Sequence, residues 1–313
     1  MKDLVSILIP SYNSERWIAE TLESALAQTW KYTEIIVVDD GSTDASFEIA
    51  TRFESSNVKI IRQRNKGASA ARNTALKQAQ GDFIQYLDAD DILDTNKIEI
   101  QINRLSSEPS ETIAAGAWGR FYDVPQNAHF MREDVWMSLS PVEWIVTSWL
   151  GGGMMPCHAW LTPRSVADKA GFWDETLCLN DDGEYFTRVL LNSSGVSFCE
   201  GAQVYYRSGL PQSWSRGIKT DSYESIYRSI ELCTAYLLAK EDNSHTRRAC
   251  ATHFQRFIYS IYPNFPHLVR QAEAKVKELG GSDLKPSGGH LFQVTSKALG
   301  WKRAKRIQQA VRS

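Results

Sequence analysis

Two hydrophobic periodicities alternate along the first part of the chain. Four short apolar runs, rich in β-branched residues, have the length of buried strands: 5–9, 34–38, 58–62 and 81–87. In the segments between them, apolar residues recur every three or four positions, which is the spacing of a helix with one buried face. Helices are predicted over 15–29 and 44–53, with a third beginning in the segment 67–73. The alternation predicts βαβ units, and so an α/β fold with a mostly parallel central sheet flanked by helices.

The rest of the chain has a mixed segment followed by a helical one. Further strands are predicted at 112–122, 158–161 and 202–207, and helices at 141–150 and from residue 181 onward. Beyond residue 220 the apolar residues keep helical spacing. The predicted organisation is an α/β half over 1–105, a second half of the same domain over 106–220, and a helical C-terminal extension over 221–313.

Composition narrows the class of protein. The 313 residues are 42% hydrophobic and 23% charged, which is ordinary for a globular protein, and the net charge of −2 gives no overall attraction to nucleic acid. The five cysteines are odd in number and contain no CxxC pair, so neither a disulfide framework nor a zinc knuckle is indicated. No stretch approaches the ~20 apolar residues of a membrane span, and no long apolar signal region opens the chain. We expect a cytoplasmic protein that binds no nucleic acid.

Residues able to bind a polar ligand follow every predicted strand of the first part. Tyr12 follows the first strand, Asp39 and Asp40 the second, Lys66 the third, and a run of acids the fourth. Because the carboxyl ends of parallel strands meet at one edge of a sheet, a single ligand can contact all of them. Helix capping by the Asp pair and core packing of Tyr12 are the alternatives for each residue alone. Together they favour a nucleotide diphosphate, whose base stacks on Tyr12 and donates hydrogen bonds to the acids.

The fourth strand ends in Asp88-Ala89-Asp90-Asp91. A buried strand cannot carry three carboxylates unless a cation or solvent meets them at its end. Paired Asp oxygens are hard ligands suited to Mg²⁺ or Mn²⁺, and the spacing from Asp88 to Asp90 fits such a site. A solvated turn that caps the following helix is the alternative.

A second group of acids opens the helix that begins near residue 181. Asp181, Asp182 and Glu184 exceed what capping a helix requires, although capping remains the alternative. The surplus favours a general base beside an acceptor hydroxyl. Farther on, Arg216 and Lys219 lie in a loop that we expect to close over phosphates.

The end of the chain is basic. Residues 284–313 contain no acidic residue but seven basic ones: Lys285, Lys297, Lys302, Arg303, Lys305, Arg306 and Arg312. Within it, residues 291–312 are predicted to be helical, with apolar residues, Leu291 and Val294 among them, roughly on one side. Peripheral contact with the inner face of a membrane through 285–313 competes with an ordinary solvated tail.

Four motifs in the order of the chain resemble the inverting glycosyltransferases of family 2, which have the glycosyltransferase-A fold. The motifs are Val5-Ser6-Ile7-Leu8-Ile9-Pro10-Ser11-Tyr12-Asn13, Val38-Asp39-Asp40-Gly41-Ser42-Thr43-Asp44, Asn65-Lys66-Gly67-Ala68-Ser69-Ala70-Ala71-Arg72-Asn73 and Leu87-Asp88-Ala89-Asp90-Asp91. The resemblance continues more weakly through the segments 171–175, 181–182 and 206–207, and leaves the final third uncovered.

The resemblance implies a role for each matching residue. Residues 1–105 would hold the nucleotide sugar and 106–220 the acceptor and the catalytic base. The nucleotide-binding residues would be Pro10, Tyr12, Asn13, Asp39, Asp40, Lys66, Arg72 and Asp88. Asp90, helped by Asp88, would bind Mn²⁺ or Mg²⁺, and Asp182 would be the catalytic base, with Asp181 and Glu184 as alternates. The chain departs from the family at Asp181-Asp182, where a Glu-Asp pair is usual, and at Ala75, where glycine is frequent.

The implied function is metal-dependent, inverting transfer of a sugar from a UDP-sugar to an acceptor hydroxyl. The acceptor would be a saccharide or a lipid-linked sugar in cell-surface polysaccharide or glycolipid synthesis. A catalytically silent nucleotide-sugar-binding or scaffold protein is one alternative, although Asp90 and Asp182 argue against it. A sugar nucleotidyltransferase is another, but it would place a glycine-rich loop after the first strand, where Pro10-Ser11-Tyr12-Asn13 stands.

Overall fold

The computed structural model describes residues 3–209 and 220–310. The chain divides into two compact units, residues 1–217 and 218–313. The first unit contains the strands β1 (Val5–Ser11), β2 (Thr33–Asp39), β3 (Val58–Arg62), β4 (Phe83–Tyr86), β5 (Ile92–Leu93), β6 (Thr112–Phe121), β7 (His129–Phe130), β8 (Trp160–Pro163) and β9 (Gly195–Arg207). Its helices are α1 (Ile18–Leu26), α2 (Ser46–Thr51), α3 (Ala68–Gln78), α4 (Lys97–Leu105), α5 (Pro141–Thr147), α6 (Arg164–Ala170) and α7 (Asp181–Asn192).

The strands form one sheet in the order β3-β2-β1-β4-β8-β6-β9-β5, with β7 paired to β6. β1, β2, β3 and β4 are parallel to one another, and β6 and β9 run in the same direction. The three short strands β5, β7 and β8 oppose them. The predicted α/β fold with a mostly parallel sheet is confirmed.

Because β8 runs antiparallel to β4, a segment that the sequence did not place there lies at the edge of the sheet where the candidate binding residues follow the parallel strands. The strand predicted at 158–161 begins only at Trp160, because a 3₁₀ turn occupies Cys157–Ala159. Since β8 is antiparallel to β4, its start lies where β4 ends. Cys157 and His158 therefore lie beside the acids that follow β4.

A buried polar network holds that 3₁₀ turn. Lys97 is fully buried on α4, and its ammonium donates to the side-chain oxygen of Gln85 and, at 3.1 Å, to the carbonyl of Trp160. The Gln85 amide donates in turn to the carbonyl of His158 at 2.9 Å, and Gln101 donates to the carbonyl of Ala159 at 3.0 Å. Burial lowers the pKa of Lys97 well below its usual value. Three backbone carbonyls, those of His158, Ala159 and Trp160, thus accept hydrogen bonds from buried side chains, and these bonds fix the position of the turn.

Packed aromatic rings hold the start of α7 against β4. Trp173 stacks on Tyr185 with ring centroids 4.2 Å apart, and Tyr86 meets both rings edge-on. The side chain of Asn73, on α3, fixes Trp173 through two hydrogen bonds to its backbone. It donates to the Trp173 carbonyl at 3.0 Å and accepts from the Trp173 amide at 2.8 Å. The aromatic cluster thereby positions the acids at 181–184.

The second unit is helical as predicted: α8 (Thr220–Lys240), α9 (Ser244–Ile261), α10 (Pro266–Glu278), α11 (His290–Leu299) and α12 (Trp301–Ala310). The helix predicted over 291–312 is two helices, because Gly300 adopts a φ of +79° that only glycine tolerates easily. Trp301 packs edge-on against Tyr259 and Tyr262. Among the described helices, none is long and apolar enough to cross a membrane.

Candidate active site

Asp40 closes the loop that carries Lys66. Its carboxylate accepts hydrogen bonds from the backbone amides of Lys66 and Gly67, at 2.9 and 2.8 Å, and from the Gln63 side chain at 2.7 Å. Gly67 has a φ of +94°, in the left-handed region that favours glycine. Asp40 therefore shapes the loop that opens α3, and the Lys66 side chain remains exposed.

Asp39 keeps one carboxylate oxygen without a partner. The residue is fully buried at the end of β2, and its Oδ2 accepts from the amide of Ser42 at 3.2 Å and lies 3.3 Å from Nε of Arg62. Its buried Oδ1 has no hydrogen-bond partner among the described residues. A buried acceptor without a donor is costly, so the site is suited to a ligand that brings an N–H or O–H group.

The turn after β1 exposes Tyr12 at the same edge. Pro10 is half-buried within β1, and 38% of Tyr12 is exposed. Asn13 adopts a φ of +49° and accepts a hydrogen bond from the Thr43 amide at 2.9 Å, which joins this turn to the one after β2. The structure thus brings Pro10, Tyr12, Asn13 and the Asp pair to the ends of two neighbouring strands.

Arg72 connects the two groups of acids. The residue is buried, and its guanidinium donates to Asp88 at 2.8 Å and to Asp181 at 2.9 Å. It lies 4.4 Å from the Trp173 ring centroid, and the Ser69 hydroxyl donates to the same oxygen of Asp181 at 2.8 Å. Burial tends to raise the pKa of Asp88, but the positive charge of Arg72 and the hydrogen bonds to the carboxylate together outweigh it and lower that pKa. Arg72 therefore favours the ionised form of Asp88 and holds both carboxylates in place.

The acids after β4 have different surroundings. Asp91 is buried, accepts from the amide of Arg207 at 2.7 Å, and lies 3.2 Å from Nδ1 of His158. Asp90 is half-buried, and no described side chain forms a hydrogen bond or ion pair with its carboxylate. Burial, and then the negative charge of Asp88, raise the pKa of Asp90 to about 6. Burial, and then the charges of Asp90 and Asp88, raise the pKa of Asp91 well above its usual value as well, but Asp91 has the Arg207 amide and His158 as neighbours, whereas the Asp90 carboxylate has no described side-chain partner.

The chemistry of these groups fits a divalent cation held by oxygen ligands. Asp88, Cys157 and His158 bring potential ligand atoms within 4.8 Å of one another. Burial and the nearby Asp88 charge raise the pKa of the Cys157 thiol well above its usual value, so this sulfur stays protonated and is a poor ligand. Mg²⁺ and Mn²⁺ prefer carboxylate oxygens, which Asp90 and Asp88 supply.

The acids at the start of α7 also differ from one another. Glu184 is buried and forms two contacts of 2.7 Å with the Arg188 guanidinium, so its carboxylate is engaged. Asp181 is held by Arg72. Asp182 accepts a hydrogen bond from the amide of Gly183 at 2.8 Å, and burial, followed by the charge of Asp181, raises its pKa to about 6. Asp182 is therefore the member of the group best suited to accept a proton.

Several residues of the site carried no strong signal in the sequence. Cys157 and His158 reach it only because β8 is reversed, and Arg207 lies in the weaker part of the resemblance, with no role assigned to it from the sequence. The Arg207 guanidinium donates to the carbonyl of Asp90 at 2.8 Å and pairs with Glu20. Arg216 and Lys219, predicted to close over phosphates, lie outside the described residues.

The chain belongs to glycosyl transferase family 2, whose family model matches residues 6–170. It is a glycosyltransferase that acts on nucleotide sugars. It is 29% identical to glycosyltransferase GlyG of Streptococcus pneumoniae serotype 4 over 239 residues, 70% of this chain and 78% of that protein.

Two further similarities add to this assignment. The chain is 46% identical over 103 residues, 33% of its length, to Escherichia coli UDP-Glc:alpha-D-GlcNAc-diphosphoundecaprenol beta-1,3-glucosyltransferase WfgD, and this match spans 41% of that protein. The crystal structure of S. aureus TarS in complex with UDP-GlcNAc is similar with a TM-score of 0.72 and 19% identity, over 99% of this chain and 91% of that one. The TarS similarity confirms the predicted glycosyltransferase-A fold.

Replacing Asp90 by Asn should stabilise the metal-free protein. Because the folded pKa of about 6 exceeds the ordinary 3.8, ionised Asp90 weakens the fold above pH 6. We expect Asp90→Asn to raise the free energy of unfolding by about 1–2 kcal/mol at pH 7.5. The gain should shrink as the pH falls from 6 toward 3.8 and vanish near pH 3, where the carboxyl is largely protonated in both states. Urea denaturation of the wild-type and Asp90→Asn proteins at the two pH values measures this difference in the free energy of unfolding.

The same variant should lose the stabilisation that Mn²⁺ and UDP together give the wild-type protein. Asp134→Asn, at an exposed position, is the matched control and should change neither quantity. An Asp90→Asn protein that is no more stable at pH 7.5, yet still responds to Mn²⁺, would contradict the assignment.

Proposed function

We propose that the protein transfers a sugar from a UDP-sugar to an acceptor hydroxyl, with inversion and with help from a divalent metal. The observation that carries this proposal is the Arg72 bridge, which joins the acids after β4 to the acids that open α7. A metal-binding carboxylate and a basic carboxylate are thereby held at one site. The acceptor is a saccharide or a lipid-linked sugar used in cell-surface polysaccharide or glycolipid synthesis.

The nucleotide would occupy the ends of β1 and β2. The unpartnered oxygen of Asp39 suits an N–H of the base, and Tyr12 offers a ring for stacking. Pro10 and Asn13 shape this pocket, Asp40 orders the loop that presents Lys66 to the phosphates, and Asp88 contacts the ribose. UDP is supported by the name of WfgD, which includes UDP-Glc, and by TarS complexes with UDP and UDP-GlcNAc.

Asp90, with Asp88, would hold Mn²⁺ or Mg²⁺. When bound, the cation supplies positive charge against the diphosphate that leaves. Arg72 keeps Asp88 ionised for this contact. Burial and the charge of Asp88 raise the pKa of Asp90 to about 6, and a cation bound there would favour its ionised form.

Asp182 would take the proton from the acceptor hydroxyl. The hydroxyl oxygen forms a bond to the anomeric carbon on the face opposite the UDP, whose bond to that carbon breaks, so the configuration inverts in one displacement. Asp181 and Glu184 are already held by Arg72 and Arg188, which favours Asp182 over these alternates. A silent binding protein would have no need for a half-buried carboxylate with a raised pKa at this position.

We further propose that the enzyme works in the cytoplasm, at the inner face of the membrane. In α11, 77% of Leu291 and 51% of Val294 are exposed, and these residues are three positions apart on one side of the helix. No acidic residue occurs from 284 to 313. Exposed apolar side chains among basic ones suit the surface of an anionic bilayer.

The nucleotide and metal assignments are tested together by calorimetry with UDP, GDP, dTDP and CDP, each with and without Mn²⁺. We expect UDP to bind at least about tenfold more tightly than the others, and to need Mn²⁺ for that affinity. Tight binding of a different nucleotide would correct the donor, and binding of none would refute the proposal.

Exchange of Asp182 for Asn should abolish transfer while leaving UDP binding unchanged, because an amide cannot accept the proton. In the wild-type enzyme, kcat/KM should fall about tenfold per pH unit below pH 6, as Asp182 becomes protonated. Glu184→Gln is the comparison variant and should retain that pH profile. Turnover by Asp182→Asn at the wild-type rate would place the base elsewhere.

The membrane contact is tested by sedimentation with vesicles that contain anionic phosphatidylglycerol. The double change Leu291→Gln and Val294→Gln should reduce the bound fraction several-fold, because it removes the exposed apolar pair. Leu26→Gln alters another exposed leucine, on α1, and should leave binding unchanged. Equal sedimentation of all three proteins would identify 285–313 as a solvated tail.

A further inference from the structure

An aromatic surface extends from the acid cluster along β6 and β9. The ring of His158, beside Asp91, stacks parallel to the Tyr206 ring with centroids 6.0 Å apart. Trp118 meets Tyr206 edge-on at 5.9 Å. The register of β6 and β9, in which Arg120 lies opposite Tyr206, fixes this arrangement. The surface therefore begins at the acids and leads away from them to Trp118.

Arg120 adds a positive charge to this surface without a carboxylate to balance it. Its guanidinium lies 5.5 Å from the ring centroids of both Trp118 and Tyr206 and donates to the Ser208 hydroxyl at 3.1 Å. No described carboxylate forms an ion pair with the exposed Arg120, in contrast to the buried Arg72 and Arg207. The charge of Arg120 is available to an anion.

Hydrogen bonds fix the Trp118 ring in place, and the Tyr206 hydroxyl remains as one more donor. Trp118 Nε1 donates to the carbonyl of Met154 at 3.2 Å, and Glu133 accepts from the Met154 amide at 2.9 Å. The indole is therefore tied to the segment that follows the three glycines. The hydroxyl of half-buried Tyr206 forms no hydrogen bond with another described residue, so it remains free for a ligand.

The order of the strands separates this surface from the nucleotide. The nucleotide residues lie on β1, β2 and the start of α3, on one side of β4. β6 lies two strands beyond β4 on the other side, a distance of about 10 Å across a sheet. A ligand on Trp118 and Tyr206 thus approaches the acids from the side opposite the UDP, where the second substrate has to enter.

We propose that Trp118, Tyr206 and Arg120 bind a phosphate-bearing sugar acceptor. The two rings contact the sugar, the Tyr206 hydroxyl donates to one of its oxygens, and Arg120 pairs with the phosphate that links the sugar to its carrier. A guanidinium matches phosphate oxygens with two hydrogen bonds, and aromatic side chains commonly line small-molecule sites. This inference rests on the proposed function, because it names the second substrate of the same site.

Two probes that differ only in the phosphate test it. One is N-acetylglucosamine linked through a diphosphate to a short alkyl chain, and the other is the alkyl glycoside without phosphate. Calorimetry of both is carried out on the free protein and on the protein with UDP and Mn²⁺. We expect wild type to prefer the diphosphate probe by at least about tenfold.

The variants separate the two kinds of contact. Arg120→Ala should remove the preference for the diphosphate probe. Trp118→Ala should instead lower the affinity for both probes by about tenfold. Arg52→Ala removes an exposed arginine at the end of α2 and is the matched control, with no change expected. UDP affinity should be the same in all four proteins.

Three results would overturn the inference: wild type that binds neither probe, a preference that survives in Arg120→Ala, or a loss of UDP affinity in that variant. The last result would assign Arg120 to the donor. Failure of UDP to bind wild type would instead refute the proposed function, and the probe measurements on the free protein would still decide the role of Arg120.

Discussion

The Arg72 guanidinium is the contact on which the rest of the site depends. It is buried under Trp173 and lies between Asp88, which follows β4, and Asp181, which opens α7. Two carboxylates at such depth would repel each other and favour their protonated forms without this cation. With it, the end of β4 and the helix that carries Asp182 have a fixed spacing.

Around this bridge the carboxylates have divided roles, and the division follows from their partners. Asp40 and Asp91 accept backbone amides and shape loops, and Glu184 is paired with Arg188. No described side chain pairs with Asp90, Asp182 accepts only the Gly183 amide among the contacts described above, and burial raises the pKa of each to about 6. In the proposed function these two carboxylates have the chemical roles, because a cation or a proton reaches a carboxylate most easily where no side chain already pairs with it.

The fold supplies two approaches to these acids. Parallel strands on one side of β4 present Tyr12 and Asp39, while β6 and β9 on the other side present aromatic rings and Arg120. Between them, the turn that precedes the reversed strand β8 places the buried ring of His158 against the Tyr206 ring. A sheet of this order can hold two different substrates with their reacting ends directed at one cluster.

The sequence by itself determined the alternation of strands and helices and the acids at the strand ends, because periodicity and strand composition are local properties. It also indicated Asp90 and Asp182 through motifs. Tertiary structure alone decided that β8 runs backwards, that Arg72 meets Asp181 from 109 positions away, and that Gly300 divides the last helix. Burial and charge pairing depend on which distant residues pack together, so the raised pKa values and the surface of Trp118 and Arg120 emerge only in the folded chain.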